Sequence, residues 1–391
     1  MQNTITSLLH SLKLEQNYRA LTPMKHEGIF LSLKGEKLLN LASNDYLSIA
    51  QDEKLAQDFL KQASLTDSPL SSSSSRILSG NFAVFEALEN HLSALYGAES
   101  ALLFNSGYHA NLGIIDALAK LPSVLFLCDS FMHASVFDGL RISRAKFLRF
   151  PHNDTTTLES LLSTHRKNFQ SVIILSEGIF SMEGDLAPLH ELVALKERYD
   201  ALLYLDEAHS VGTCGEDLLG LASHLKLTNA IDFLVLAFGK ALGSVGGCVL
   251  CAEIFKSYFI NKARPLIYST ALPPLSAAFS LFVLERLAEF RERAVRLHTL
   301  GDYLRGELAA LGQDFIGESH IISLMAYENA TALELSHKLQ KIGYFAPAIK
   351  SPSVPEKKAR IRLSLTSSLE KSHFDNLLEM LRESSKGASC K

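Results

Sequence analysis

The sequence has no excess of basic residues. Its 391 residues include 38 Lys and Arg against 42 Asp and Glu, which gives a formal net charge of −4. A surface that binds nucleic acid needs clustered positive charge to neutralise successive phosphates. We therefore predict no nucleic-acid partner.

Cysteine is scarce and scattered. Five cysteines form no even set and do not indicate the disulfide framework of a small secreted protein. Two of them form one CxxC, but a metal site of this kind needs a second pair. The apolar residues between those two favour thiols buried in a strand, and we predict no metal site. The cysteines are Cys128, Cys214, Cys248, Cys251 and Cys390.

Long apolar runs are also missing. The first residues, MQNTITSLLHSLKLEQ, contain no basic segment followed by an apolar one, and the longest apolar stretch, Leu275–Leu284, contains serines. A bilayer-spanning helix needs about 20 apolar residues. We expect neither a signal peptide nor a membrane partner, and hence a cytoplasmic protein. No internal repeat or heptad run is present.

Short apolar runs alternate with amphipathic stretches between Ser100 and Cys251. This alternation predicts an α/β fold, with a mostly parallel sheet whose strands are joined by crossover helices. The runs are continuously apolar, as expected when helices cover both faces of the sheet. The seven predicted strands are Ala101–Phe104, Val124–Cys128, Lys146–Phe150, Val172–Ser176, Ala201–Leu205, Phe233–Ala237 and Gly247–Cys251.

We predict three segments along the chain. Residues 1–45 form an N-terminal helix and an arm with a hairpin at Lys34–Leu41, residues 46–284 the large α/β domain, and residues 285–391 a small α+β domain. Periodicity predicts helices at Leu158–His165, Leu189–Tyr199, Leu218–His224, Pro273–Gly301, Leu304–Leu311, Ala332–Ile342 and Lys371–Arg382, and late strands at Ile321–Met325 and Arg360–Leu365. The serine-rich stretch Ser68–Ser79 is either a flexible linker or an ordered loop near a site.

Polar residues follow several predicted strands. In open α/β sheets ligands bind beyond the carboxyl ends of the strands, so these residues are candidates for a site. The segment Asn105–Asn111 opens a helix whose backbone N–H groups could hold an anion. Asp206 and His209 follow another strand, where a structural ion pair is the alternative. His133 and Ser181 follow two further strands, and a capping or core histidine is the alternative for the first.

Lys240 lies among small and apolar residues in the sequence FGKALG. A lysine in a dry pocket has a lowered pKa and can form a Schiff base, whereas a surface lysine on a glycine loop is the simpler alternative. An anion cradle, an aspartate for a pyridinium nitrogen and a lysine are the parts that pyridoxal phosphate (PLP) requires. The combination predicts a PLP site.

The motifs, in this order, resemble the α-oxoamine synthases, a branch of the fold-type I PLP enzymes. The similarity extends over almost the whole chain and implies that the large domain binds PLP. Within the family, RFPHND (Arg149–Asp154) and AIKSPSVP (Ala348–Pro355) are most similar to the branch that condenses L-alanine with a pimeloyl thioester to give 8-amino-7-oxononanoate in biotin synthesis. The shared motifs are SNDYL (Ser43–Leu47), SGYHAN (Ser106–Asn111), HAS (His133–Ser135), EGIFSMEGD (Glu177–Asp185), DEAHSVG (Asp206–Gly212), FGKALG (Phe238–Gly243), IYST (Ile267–Thr270) and RIRLSLT (Arg360–Thr366).

The resemblance implies a role for each matched residue. Lys240 would bond the cofactor and move the Cα proton, Asp206 would pair with the ring nitrogen and His209 would contact the ring hydroxyl. His133 would stack on the ring and help position the substrate. Cofactor contacts are also implied for Gly107, Tyr108, Ser181 and Thr270, and substrate contacts for Arg362, which would bind the amino-acid carboxylate, and for Arg19, Asn44 and Ser353.

The resemblance further implies a homodimer with shared active sites, in which Ser269 and Thr270 reach the neighbouring subunit's phosphate. The acyl donor is either a CoA thioester or one on an acyl carrier protein. Two positions depart from the family pattern. Ala237 stands where relatives usually have a threonine or serine that reaches the cofactor, and Ser71–Ser75 stands where they usually have glycines.

Other readings remain open. Another α-oxoamine synthase, such as a glycine-using 2-amino-3-oxobutyrate synthase or an autoinducer aminoketone synthase, would carry most of the same motifs. A plain aminotransferase fits less well with His133 and the RIRLSLT segment. A non-catalytic module that keeps the fold would have no need of Lys240, Asp206 and His209 together.

Overall fold

A computed structural model of the protein describes residues 1–388, and Cys390 lies outside them. The chain packs into two compact units. The larger consists of Asp45–Ser181 and Leu186–Val295, and the smaller of Met1–Asn44, Met182–Asp185 and the chain from Arg296 onward.

These boundaries differ from the three predicted segments. Residues 285–295 belong to the larger unit, where the Arg293 guanidinium donates to the carbonyl oxygens of Leu47 and Ser48 at 3.0 and 3.2 Å. Residues 1–44 join the C-terminal residues because the strand Glu36–Asn40 pairs in parallel with Tyr344–Phe345. Neither contact has a signature in the local sequence.

The larger unit contains the predicted seven-stranded sheet. Six of its strands run in the same direction, and the seventh, Gly247–Cys251, runs antiparallel to the strands on both sides. The α/β fold with a mostly parallel sheet is therefore confirmed. In spatial order the strands are Ser100–Phe104, Gly247–Cys251, Phe233–Ala237, Leu202–Asp206, Ser171–Glu177, Val124–Asp129 and Phe147–Phe150.

Helices connect the strands of this unit. The predicted helix Leu218–His224 is only Leu221–His224, because Leu218 and Gly220 have positive φ angles of 61° and 107°. The predicted helix Pro273–Gly301 is divided near Arg286 by one 3₁₀ turn, Leu287–Phe290, which buries both of its end residues. The helices are Glu53–Gln62, Ala83–Tyr96, Gly107–Leu118, Ala134–Ile142, Thr155–His165, Leu189–Arg198, Leu221–His224, Glu253–Lys262, Arg264–Ile267 and Pro274–Glu285, with 3₁₀ turns at Arg166–Asn168, Thr228–Ala230 and Leu287–Phe290.

The smaller unit is α+β. The predicted hairpin at Lys34–Leu41 lies further toward the N-terminus: Phe30–Leu33 pairs with Glu36–Asn40 across a two-residue turn. Both turn residues, Lys34 and Gly35, have the positive φ that such turns require. The other elements are helices Gln2–Leu14, Asn329–Lys341 and Asp375–Ala388, a 3₁₀ turn Lys371–Phe374, and strands Lys25–Glu27, Phe315–Ile316, Ile321–Tyr327, Tyr344–Phe345, Ala348–Ile349 and Ala359–Ser364.

The helix Arg291–Ala310 begins in the larger unit and continues into the smaller. Across residues 1–388, none of the helices has the length and apolar character needed to cross a membrane.

One apolar core cluster of the larger unit lies between the sheet and the helices that cover one of its faces. Phe126 on the strand Val124–Asp129, Ile114 on the helix Gly107–Leu118 and Phe259 on the helix Glu253–Lys262 are all fully buried in one cluster. Cys248 and Cys251 are both buried in their strand, as predicted. No group of metal-binding side chains occurs among the described residues.

Truncating this core should destabilise the protein strongly. Phe126→Ala leaves a cavity where the side chain was fully buried, so we expect the free energy of unfolding to fall by about 3–5 kcal/mol in urea titrations followed by circular dichroism. Ile254→Ala, at a side chain that is 73% exposed, should change it by less than about 0.5 kcal/mol. Equal effects of the two variants would contradict this description of the core.

Candidate active site

Lys240 lies just after the strand Phe233–Ala237, and His209 just after the neighbouring strand Leu202–Asp206. Nζ of Lys240 is 2.8 Å from Nε2 of His209, and Nδ1 of the same ring is 2.6 Å from the hydroxyl of Tyr46. His209 and Tyr46 are buried, whereas Lys240 is half-buried. The structure thus brings together two of the predicted site residues and a tyrosine that was not predicted.

Asp206 is buried at the carboxyl end of its strand. One of its carboxyl oxygens accepts a hydrogen bond from the Asn111 amide at 2.7 Å, and the other accepts from the backbone N–H of Ala208 at 2.9 Å. The Tyr204 hydroxyl donates to the oxygen of the Asn111 side chain and so fixes which end of that amide faces Asp206.

His133 caps the helix Ala134–Ile142. Its Nδ1 accepts from the backbone N–H of Ser135 at 3.2 Å and lies 2.7 Å from the Ser135 hydroxyl. Asn111 donates to that hydroxyl oxygen at 2.9 Å, so the hydroxyl proton is directed at Nδ1. Burial lowers the pKa of His133, and the positive charge of Lys240 lowers it further while Asp206 opposes both. Because Nδ1 accepts the hydrogen bond from Ser135, the proton of a neutral His133 ring lies on Nε2.

The helix Gly107–Leu118 begins at the same edge of the sheet. Ser106 caps it by accepting from the backbone N–H of His109 at 3.2 Å. A Cβ on Gly247 would lie 2.6 Å from the nitrogen of Gly107, and a Cβ on Gly107 would lie 3.0 Å from Cβ of Ala237. The glycines therefore let the helix start directly against the strand ends, which leaves its first backbone N–H groups facing outward as an anion cradle.

The remaining predicted cofactor contacts lie in the same unit. The Tyr108 hydroxyl donates to Asp138 at 2.6 Å. The carbonyl oxygen of Thr270 accepts from the Asn105 amide at 2.7 Å, which ties its segment to the residue that precedes the cradle. Ser181 is buried. The methyl group of Ala237 lies next to Gly107, and this side chain offers no hydroxyl at that place.

Of the five predicted substrate-binding residues, His133 lies in the larger unit, and the other four lie in the smaller unit and form two pairs. The Arg19 guanidinium donates to the Ser353 hydroxyl at 2.9 Å. Both terminal nitrogens of Arg362 lie 3.3 Å from the side-chain oxygen of Asn44, and one donates to Ser364 at 2.6 Å. Residues more than 300 positions apart in the chain are thus brought together twice.

The donor set of the larger unit fits PLP. Asp206 is a buried acidic group suited to a ring nitrogen, Lys240 an amine suited to an aldehyde, and the start of the helix at Gly107 a cradle suited to a phosphate.

Comparison with known proteins identifies the family. A family model described as aminotransferase class I and II matches residues 36–381. A protein of Glaesserella parasuis serovar 5, provisionally named 8-amino-7-oxononanoate synthase, is 43% identical over 97% of this chain and 100% of its own length. The chain belongs to the class I and II aminotransferase family.

Solved structures of α-oxoamine synthases have the same fold. A serine palmitoyltransferase from S. paucimobilis with a bound PLP–myriocin aldimine has a TM-score of 0.89 at 26% identity, covering 99% of this chain and 98% of that chain. An 8-amino-7-oxononanoate synthase from Francisella tularensis has a TM-score of 0.76 at 25% identity, covering 90% and 99%. The resemblance to this branch of the aminotransferase family is confirmed.

Several residues of this aminotransferase-family site were not predicted. Tyr46, Asn111 and Ser135 stand inside motifs that we quoted. Their hydrogen bonds to His209, Asp206 and Asn111, respectively, each join two different motifs. Tyr204 did leave a signal, since it is the one hydroxyl-bearing residue in the apolar run Ala201–Leu205. A buried polar side chain in such a run needs a partner.

Glu207 is a further buried group next to Asp206. Its carboxylate accepts from the backbone N–H groups of Leu221 at 2.9 Å and Ala222 at 2.7 Å, and the Ser210 hydroxyl also donates to it. A Cβ on Gly220 would lie 2.5 Å from the same carboxylate. Burial raises the pKa of Glu207 to about 7, although the two backbone N–H groups lower it.

This carboxyl group should make stability depend on pH. The native state binds its proton more tightly than the unfolded chain does, so its contribution to stability is lost as pH rises from about 4.5 toward about 7. Glu207→Gln should remove a slope of up to about 1.4 kcal/mol per pH unit in that window, measured by urea unfolding at a series of pH values. The exposed Glu292→Gln is the control. Parallel curves for Glu207→Gln and the native protein would rule out this effect.

Proposed function

We propose that the protein is a PLP-dependent α-oxoamine synthase that condenses L-alanine with a pimeloyl thioester. Carbon dioxide and the thiol leave, and 8-amino-7-oxononanoate is formed for biotin synthesis. The observation that carries the catalytic part is the 2.8 Å contact between Lys240 and His209 beside the buried Asp206. The substrate part is supported by the 43% identical relative and its provisional name.

Eight residues of the larger unit would hold the cofactor. Asp206 would pair with the ring nitrogen, His209 with the ring hydroxyl and the start of the helix at Gly107 with the phosphate. When bound, PLP supplies an electron sink that stabilises negative charge at Cα of the amino acid. The residues are Gly107, Tyr108, His133, Ser181, Asp206, His209, Lys240 and Thr270, of which Thr270 would reach the phosphate bound by the neighbouring subunit.

Lys240 is the proposed proton carrier. Its Nζ would act as a general base and take the proton from Cα of alanine, which requires that the amine is unprotonated. Nε2 of His209, 2.8 Å away, is close enough to form a hydrogen bond with that amine. His133 presents a neutral ring whose Nε2–H is free of the Ser135 contact at Nδ1, so it can stack on an aromatic ring and still donate a hydrogen bond to substrate.

The amino-acid carboxylate has a candidate partner in the smaller unit. Arg362 carries a planar guanidinium, the group best suited to bind a carboxylate through two hydrogen bonds. Both of its terminal nitrogens face the side-chain oxygen of Asn44. We therefore propose that the Asn44 amide also contacts the substrate beside Arg362. Arg19 and Ser353, paired at 2.9 Å, are proposed to contact the acyl substrate.

A serine-using synthase is the second candidate, because the serine palmitoyltransferase structure has the higher TM-score of the two compared, 0.89 against 0.76. A glycine-using 2-amino-3-oxobutyrate synthase and an aminoketone synthase belong to the same branch. These alternatives differ in substrates and share the catalytic residues.

A substrate matrix tests the proposal. Purified holo-protein is mixed with L-alanine, glycine or L-serine and with pimeloyl-CoA, pimeloyl-carrier protein, acetyl-CoA or palmitoyl-CoA, and products are identified by mass spectrometry. We expect 8-amino-7-oxononanoate from alanine and a pimeloyl donor. A product only from serine and palmitoyl-CoA, or only from glycine and acetyl-CoA, would replace the proposed reaction by an alternative.

Lys240→Ala should remove the visible absorbance of the bound cofactor and lower turnover by at least about a hundredfold, because the proton carrier is gone. Lys262→Ala, at an exposed lysine at the end of the helix Glu253–Lys262, is the matched control and should retain both. Turnover and absorbance that survive in Lys240→Ala would refute the assignment of the lysine.

We also propose a homodimer. The helix Gln2–Leu14 buries none of its residues within the chain, and its Ile5, Leu8, Leu9 and Leu12 are exposed. A second copy that covers these side chains would remove apolar surface from water. Sedimentation velocity should give a dimer, and an active monomer would contradict the proposal.

A further inference from the structure

Tyr46 is fully buried in the larger unit, in the segment that precedes the helix Glu53–Gln62. Its hydroxyl lies 2.6 Å from Nδ1 of His209. Nothing in the proposed reaction requires a phenol at this place, since the cofactor and substrate contacts are assigned to other residues. A buried hydroxyl directed at a ring nitrogen of the site is therefore a feature that needs its own explanation.

The backbone on both sides of Tyr46 is held in place. The carboxylate of Asp45 accepts from the backbone N–H groups of Ile49 at 2.8 Å and Ala50 at 3.0 Å. The Arg293 guanidinium donates to the carbonyl oxygens of Leu47 and Ser48 at 3.0 and 3.2 Å. The phenol thus projects from a segment that is fixed independently of His209.

The two nitrogens of the His209 ring have partners on opposite sides. Tyr46 contacts Nδ1 and Lys240 contacts Nε2, at 2.6 and 2.8 Å. An imidazole held at both nitrogens can neither rotate about its Cβ–Cγ bond nor exchange the positions of the two atoms without losing both hydrogen bonds. Tyr46 also restricts the ring proton: when the phenol donates to Nδ1, the proton of a neutral ring must lie on Nε2, facing Lys240.

We propose that Tyr46 is a positioning residue, which holds His209 so that its Nε2 faces the amine of Lys240 and the cofactor bonded there. This inference rests on the proposed function, because it gives Tyr46 a role only through His209. It predicts that removing the hydroxyl weakens cofactor binding and alters the cofactor's environment without altering the fold.

The test compares two tyrosines. Tyr46→Phe removes the hydroxyl that contacts His209. Tyr96→Phe is the matched control, because Tyr96 is also buried in the larger unit and its hydroxyl donates to the Leu219 carbonyl at 2.9 Å. We expect the PLP dissociation constant, measured by absorbance titration of apo-protein, to rise about threefold to tenfold in Tyr46→Phe, as for the loss of one hydrogen bond, and to stay unchanged in Tyr96→Phe.

The visible spectrum and a double-mutant cycle separate positioning from a general loss of stability. We expect the absorbance maximum of bound PLP to shift in Tyr46→Phe and not in Tyr96→Phe at equal melting temperature. In a His209→Asn background, Tyr46→Phe should have no further effect on the dissociation constant. Equal spectra and dissociation constants for both tyrosine variants, or additive effects in the cycle, would overturn the inference.

Failure of this inference can be distinguished from failure of the proposed function. If native protein binds no PLP, the proposed function fails before Tyr46 is considered. If Tyr46→Phe does not fold, fluorotyrosine at position 46 replaces it, since this residue keeps the hydroxyl and the shape while making the phenol a stronger donor. A changed dissociation constant or spectrum then supports the inference, and values identical to those of native protein refute it.

Discussion

The burial of an acidic side chain at the end of a parallel strand is the constraint on which the candidate site depends. Asp206 lies where water cannot hydrate it, and such a group is costly unless protein donors replace the water. Asn111 supplies one donor, and its own orientation is fixed by Tyr204. Since the same amide also donates to Ser135, which contacts His133, one buried carboxyl group determines the arrangement of two loops.

The fold of the larger unit could be predicted because its strands are apolar on both faces. All seven predicted segments are strands, with ends displaced by at most one residue, since turn and cap residues stop each apolar run. The elements that differ are those whose ends depend on backbone conformation or on distant partners. Leu218 and Gly220 delay the start of one helix through their positive φ angles, and Arg293 ties the segment after residue 284 to the larger unit.

The site was predictable only in part for a related reason. Lys240, Asp206 and His209 carry groups whose chemistry is visible in the sequence, and each lies within four residues of the end of an apolar run. Tyr46 and Asn111 act through hydrogen bonds to residues 163 and 95 positions away. A local sequence pattern does not show which distant residues will form hydrogen bonds. The chemistry of the site could therefore be predicted from residue types, whereas the hydrogen bonds that orient those residues could not.

The antiparallel strand has a consequence for how the chain is made. Within the described residues, Ser100–Phe104 has Gly247–Cys251 as its one neighbour in the sheet. Its five residues are all buried in the folded protein, yet on the ribosome they must wait on the order of ten seconds for that neighbour to be synthesised. During this time an apolar strand edge is open to other chains. The sheet can therefore be completed only after residue 251 has been synthesised. Until then, the nascent chain avoids aggregation only if chaperones cover this strand or if synthesis of the remaining residues is fast.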